Sequence, residues 1–273
     1  MRNVFSLLFV LSVVIFASCS TPRYAYAPAA HNVPVLTEKG DGKIGAAYST
    51  SISGDRIEDD ETVNNSVNGI DVQGAYALSD HWALQAAHMQ RWERTTGGVD
   101  SVNIKYRRNL TELGVGYYFP MNSNLNAWFQ VFGGGGFGKF NFTDSSVYGN
   151  FFHETDVLKF YVQPGFYFRS KGSFSVSIAV RGSFIKFNSI KTNYPSSDLD
   201  NYRLNQMGNN VKFFLEPALV SSFGFKNVPG LRIEFQGGLS LLTAETPFDY
   251  RSQNFSIGTY LDFGSLRRGT NRR

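Results

Sequence analysis

The sequence predicts an all-β chain that closes into a transmembrane, up-and-down antiparallel β-barrel of about ten strands. Three observations predict it. Long segments alternate apolar and polar residues with period two, the connections between them alternate long and short, and no stretch beyond Cys19 approaches the roughly 18 consecutive apolar residues of a membrane-crossing helix. A barrel hides its membrane signal in alternation, so its average should be mildly polar. The mean hydropathy of −0.21 fits, and charged residues, at 18%, are scarce for a soluble exterior. A formal charge of +4 is too small to suggest nucleic acid as a partner.

Taken in order, residues 1–18 read as an export signal: Arg2 supplies charge, residues 4–16 form an apolar run, and small residues lead to Cys19. The run is short of the roughly 20 residues a helix needs to cross about 30 Å of hydrocarbon. Cys19 is the only cysteine and can form no internal disulfide. Phe16-Ala17-Ser18-Cys19 resembles a bacterial lipobox, with Phe16 where Leu is usual. The resemblance implies cleavage before Cys19 and acylation of its thiol, and acyl chains at about 0.8 kcal/mol per buried CH2 hold an end in a bilayer without a spanning helix. Residues 19–42, rich in Pro, Ala and Tyr and without period, read as a lipidated tether. Residues 43–264 read as the barrel, and residues 265–273 as a solvated basic tail.

Within the barrel, strands are expected at 43–53, 68–78, 82–93, 109–119, 126–142, 156–170, 174–188, 211–226, 231–242 and 254–264. Short turns fall at 79–81, 120–125, 171–173 and 227–230, and longer polar loops at 54–67, 94–108, 143–155, 189–210 and 243–253. Long and short never exchange places, so all long loops sit at one end, as in outer-membrane barrels with long loops outside. An even strand number puts both ends of the barrel on the short-turn side, which suits an anchor in the periplasmic leaflet.

The alternation fixes the faces. Phe255, Ile257, Leu261 and Phe263 oppose Ser256, Gly258, Tyr260 and Asp262; Phe160, Val162, Phe166 and Phe168 oppose Lys159, Tyr161, Gln163 and Arg169. A soluble barrel has the same period with the opposite sense, but strands of 10 to 17 residues suit a bilayer crossing. With the apolar face outside, charges line a narrow interior and need partners, because an unpaired buried charge costs several kcal/mol. The acids Asp71, Glu93, Glu112, Glu216, Glu234 and Asp262 are matched in number by Arg91, Lys159, Arg169, Arg181, Lys212 and Arg232, which predicts a lumenal ion-pair network rather than an ion-selective pore. Pro164 and Pro217 each remove a ladder donor, and bulges are expected there.

Other motifs carry less. Gly133-Gly134-Gly135-Gly136-Phe137-Gly138-Lys139 imitates a phosphate loop, but Phe140 stands where Ser or Thr should be and no helix follows; it reads as low-bulk wall. His153, Glu154 and Asp156 could serve a hydrolase at the outer rim, although the paired-Asp and Asp-x-His spacings of outer-membrane proteases are missing. One Cys and four scattered His, among them His81 and His88, give no zinc spacing, and no cofactor or metal is expected. The acidic loop 55–61 reads as solvated, with hard cations as the sharper alternative.

Ser256, Gly258, Leu261 and Phe263 resemble the closing signal read by the bacterial barrel-assembly machinery, which the resemblance implies as a partner, although the chain runs on to Arg273. Asn32-Val33-Pro34-Val35-Leu36-Thr37-Glu38-Lys39-Gly40, with the lipobox and the barrel pattern, resembles the entry segment of Bacteroidota-type outer-membrane β-barrel lipoproteins of unassigned function. That resemblance implies location and fold without an activity. The expectation is a non-enzymatic structural or interaction protein, such as an accessory subunit of an envelope complex. Its neighbours would be outer-membrane lipid and lipopolysaccharide, with loop 189–210 as contact surface for a protein partner. A narrow passive channel and a rim hydrolase near His153 are the alternatives.

Overall fold

The computed structural model describes residues 21–51, 56–58, 61–97, 101–122, 124, 126–169, 173–225, 227–243 and 248–264. Among them, twelve strands follow in chain order: β1 (Gly42–Thr50), β2 (Arg56–Glu58), β3 (Glu61–Ala77), β4 (Trp82–Gly97), β5 (Val102–Pro120), β6 (Ala127–Ser146), β7 (Gly149–Arg169), β8 (Phe174–Thr192), β9 (Lys212–Gly224), β10 (Leu231–Leu239), β11 (Leu241–Leu242) and β12 (Gln253–Asp262). One short helix, α1 (Ser196–Asn201), lies between β8 and β9. Neighbours in sequence pair antiparallel, and β1 pairs with both β3 and β12, so the sheet closes on itself. With β2 and β11 as short additions, ten strands make the wall.

The period-two pattern sorts the faces as expected: Phe160 is 56% exposed on the outside while Lys159 beside it is fully buried. On β8 the outward apolar phase runs from Phe174 to Phe184 and then meets Lys186; on β7 it ends at Leu158 before Asp156, and on β6 at Phe137 before Lys139. Ten residues rising about 3.3 Å each at a tilt near 40° span about 25 Å, the height of a lipid-facing band.

Above that band the strands do not stop. The loops expected at 94–108 and 143–155 are largely strand: β4 runs on to Gly97, β5 begins at Val102, and only Val147 and Tyr148 separate β6 from β7. On β5 the inward side chains there, Val102, Ile104 and Tyr106, are apolar and buried while the outward Asn103, Lys105 and Arg107 are polar, so the ladder continues with the sense of the alternation reversed. The expected bulges at Pro164 and Pro217 are also absent. Between β7 and β8 the register is the same on either side of Pro164, and between β9 and the β10–β11 pair it is the same on either side of Pro217. Pairing lapses where the donor is missing, and the shift falls instead between Glu154 and Asp156.

The seam between β1 and β12 depends on two glycines. Tyr260 turns inward and its ring occupies the space beside Gly258 and the cross-strand Gly45; a Cβ on Gly45 would stand 2.5 Å from that ring and 2.2 Å from the Thr259 carbonyl oxygen. Of the expected closing signal, Leu261 and Phe263 face outward to lipid and Gly258 faces inward at this seam, with Ser256 half-buried. The glycine run lies inside β6, where Gly134 leaves room for the Tyr161 hydroxyl.

The largest departure concerns the expected tether. Residues 21–36 do not hang from the barrel; most of them are buried, and they run through its interior from one rim to the other. Lys39 and Gly40 meet the short-turn rim, donating to Asp80 and to the Ala77 carbonyl. Arg23 and Tyr24 meet the far rim at Asp144 and Tyr106. The first residue of β1 does lie on the short-turn side, as parity requires, but the chain before it has crossed the whole lumen.

Candidate functional site

The internal segment is built for a narrow space. Ala25, Ala27, Ala29 and Ala30 pass the wall side chains with little bulk, and two tyrosines project toward the polar lining. Fifteen or so extended residues at about 3.3 Å each give about 50 Å of reach, enough to cross a barrel of this height. Its backbone amides and carbonyls sit away from bulk water and must find partners.

At the long-loop rim the contacts are ionic and aromatic. Arg23 donates to Asp144 at 2.6 and 2.9 Å, and its guanidinium lies 4.0 Å from the centre of the Tyr202 ring. Tyr194 donates to the same carboxylate at 2.7 Å; burial and that hydrogen bond raise its phenol well above the ordinary range. The Arg108 guanidinium binds both Glu93 and the Tyr24 carbonyl, and Arg251 reaches Glu93 at 2.9 Å while covering the Tyr24 ring at 3.7 Å. Tyr26 forms a parallel bridge with Tyr250, with Ala25 donating to Asp249 and Arg251 donating to Tyr26 through their backbones.

Midway along, four charges form a closed set. Lys159 lies 3.0 Å from Glu112 and 3.5 Å from Glu216, and Arg181 lies 3.2 Å from Glu112. Glu216 also accepts hydrogen bonds from Ser183 at 2.6 Å, from Ser240 at 3.2 Å and from the internal segment's Tyr26 at 2.7 Å. Asp71 pairs with Arg91 at 2.7 Å and accepts from the Ser49 hydroxyl and the Ala30 amide. Two opposite charge pairs and hydroxyl donors compensate the desolvation that would otherwise make such a cluster untenable.

Toward the short-turn rim the segment is held by amides and apolar packing. Gln236 exchanges hydrogen bonds with the His31 backbone, Asn32 donates to the carbonyls of Gly74 and Ala86, and Gln163 donates to the Asn32 carbonyl. Val33 packs with Ala179 and Val220, and Val35 and Leu36 with Tyr118, Trp128, Phe132, Tyr161 and Tyr167.

The structure therefore joins Asp71 with Arg91, and Glu112 and Glu216 with Lys159 and Arg181, from the residues the sequence singled out. It gives the rest different neighbours. Glu93 takes Arg108 and Arg251, Glu234 takes Lys43 at 2.6 Å, and Arg232 donates to Ser222 and Ser175. Lys212 and Asp262 are buried at opposite rims, and Arg169 is only half-buried at the end of β7. Arg23, Lys43, Arg108, Arg251 and Asp144 were missed because they lie in stretches read as tether, loop or strand end. One signal for the buried segment was present: no residue between Arg23 and Glu38 carries a formal charge, unlike a solvated tether.

Two other expectations meet the structure. Loop 189–210 buries Tyr194, Leu204 and Met207 in a cluster with Ala25, Tyr26, Phe142 and Ile190 over the internal segment, while most of its other side chains are exposed. His153 faces inward, stacks on Phe142 at 5.2 Å, and has no hydrogen-bond partner at either ring nitrogen among the described residues, while Glu154 is exposed on the opposite face. The three residues of the supposed rim site are not brought together. Asp55, Asp59 and Asp60 of the acidic loop, like Cys19 and the tail 265–273, lie outside the described residues.

Comparison with known proteins places this geometry. A family model described as outer membrane protein beta-barrel domain matches residues 11–213. No curated protein matches the chain. Among solved structures, the outer membrane protease OmpT from Escherichia coli is similar at 9% identity and a TM-score of 0.45, covering 85% of this chain and 99% of its own. The transport unit of the autotransporter AIDA-I from Escherichia coli matches at 7% identity and 0.44, covering 85% and 92%. The translocator domain of the autotransporter NalP from Neisseria meningitidis matches at 11% identity and 0.42, covering 82% and 88%.

Proposed function

Because the chain belongs to the outer membrane protein β-barrel domain family, we propose that it is a non-conducting, non-enzymatic barrel of the bacterial outer membrane with a structural or interaction role. Its place as an accessory subunit of an envelope complex is part of the same reading. The observation that carries it is the lumen, occupied along its length by residues 21–36 and closed above them by Tyr194, Leu204 and Met207. This filling also argues against the passive-channel alternative.

The same segment bears on the lipid anchor. Cys19 precedes Thr21 by two residues in the sequence. Residues 21–24 sit at the rim carrying the long connections, which outer-membrane barrels turn to the cell exterior. Acylation of Cys19 would therefore place the lipid at the outer leaflet, opposite to the periplasmic side that parity alone suggested.

In planar bilayers the purified wild-type protein should be silent, and a variant lacking residues 21–36 should give discrete current steps. Steady openings from the intact protein would reject the reading. An epitope inserted ahead of Thr21 should be bound by antibody on intact cells; binding only after permeabilisation would reverse the threading.

A further inference from the structure

Above the lipid-facing band, one sector of the outer wall is strongly and one-sidedly charged. Arg94 on β4, Lys105 and Arg107 on β5, and Lys139 on β6 all point outward and are exposed. The register sets Arg94 directly opposite Lys105 and Trp92 directly opposite Arg107. Like charges facing each other across a strand pair repel, so the fold itself does not favour this arrangement. Among the outward side chains described on β3 to β6 above the band, the neighbours are neutral, including Asn68, Asn103, Asn141 and Thr143. Among the described residues the one carboxylate paired with this group is Asp156 on β7, 4.0 Å from Lys139. Elsewhere at the rim the charges balance, as where Lys191 on β8 stands in register with Glu154 on β7.

Height decides what such a patch can meet. Lys139 is the next outward residue after Phe137, the last apolar residue of the band on β6, and Trp92 is exposed beside Arg107, where aromatic girdles mark the membrane interface. Cations there stand level with the headgroups of the outer leaflet, whose glycolipid carries phosphates on its sugar backbone. Guanidinium groups bind phosphate oxygens bidentately and lysines add point charge.

We propose that Arg94, Lys105 and Arg107, flanked by Lys139 and Trp92, form a docking site for the phosphate groups of lipopolysaccharide in the outer leaflet. The site lies on the outer wall and does not depend on the lumen being filled. In micelles containing the intact protein, bisphosphorylated lipid A should shift tryptophan emission at far lower concentration than its dephosphorylated form. The preference should be on the order of a hundredfold for three cations at an anionic headgroup, shrinking as salt rises. The combined variant Arg94→Gln, Lys105→Gln and Arg107→Gln should lose the preference. Lys186→Gln with Lys191→Gln should keep it. Heat-dependent gel mobility reports whether each variant is a closed barrel, and Lys105→Gln alone, expected to lose part of the preference, serves if the combined variant does not close. Equal binding of the two lipids by the wild type, an undiminished preference in the closed variants, or displacement of lipid A by millimolar inorganic phosphate would overturn the proposal.

Discussion

The two halves of the lumen hold the same segment by different physics. In the half toward the long loops, the polar contacts to residues 23–26 run through charges, tyrosine hydroxyls and backbone pairs, and Glu216 alone gathers Tyr26, Ser183, Ser240 and Lys159. In the half toward the short turns, neutral amides and apolar side chains do the holding. Among the described residues, Asn32 Oδ1, Gln85 Oε1 and Gln130 Nε2 are buried there without a hydrogen-bond partner, as are Asp144 Oδ1 and both His153 ring nitrogens in the upper half. A hydrogen bond to a charged group contributes about 1.5–3 kcal/mol against about 0.5–1.5 kcal/mol for a neutral one, so the two ends of the segment should differ in how firmly they are seated. The upper half behaves as a latch and the lower half as a looser socket.

The largest effect should come from the latch. Glu216→Ala leaves Lys159 and Arg181 with one carboxylate between them and should lower the stability of the folded barrel by about 3–5 kcal/mol, read from urea titration in detergent. A change under about 1 kcal/mol would mean the cluster is not closed as described. Tyr26→Phe keeps the ring between Phe140 and Phe214 and removes only the hydrogen bond to Glu216. It should cost about 1.5–3 kcal/mol and leave the segment in place. In the socket, Asn32→Ala removes donations to two wall carbonyls and should cost about 1 kcal/mol, less than either latch variant. Smallest of all, Gln130→Leu relieves an unpaired donor and should be neutral or slightly stabilising; a loss as large as that of Tyr26→Phe would erase the contrast between the halves.

The wall was legible because lipid and lumen impose opposite demands on successive residues, so Phe160 beside Lys159 announces both faces at once. Above the lipid band the outward residues turn polar, and the signal vanishes wherever the inward ones are polar as well. Asn64-Asn65-Ser66 and Thr95-Thr96 are strand in the structure, yet nothing in their sequence alternates, so these stretches read as loop. The internal segment was illegible for a related reason. It touches the wall on all sides, so no period separates an inner from an outer face, and its alanines and prolines resemble those of a linker. The ion pairs were legible as a matched inventory but not as a pairing, because Glu93 meets Arg251, a residue 158 positions away, through a barrel geometry that spacing does not encode.

Threading can be tested at one place. Tyr26 and Tyr250 face each other as a parallel bridge, a spacing that a disulfide can span. In a refolded chain with Cys19 replaced by Ala, Tyr26→Cys with Tyr250→Cys should cross-link on mild oxidation, giving a species that loses its altered gel mobility on reduction. If the folded barrel leaves both thiols free and open to maleimide, residues 21–36 do not occupy the lumen.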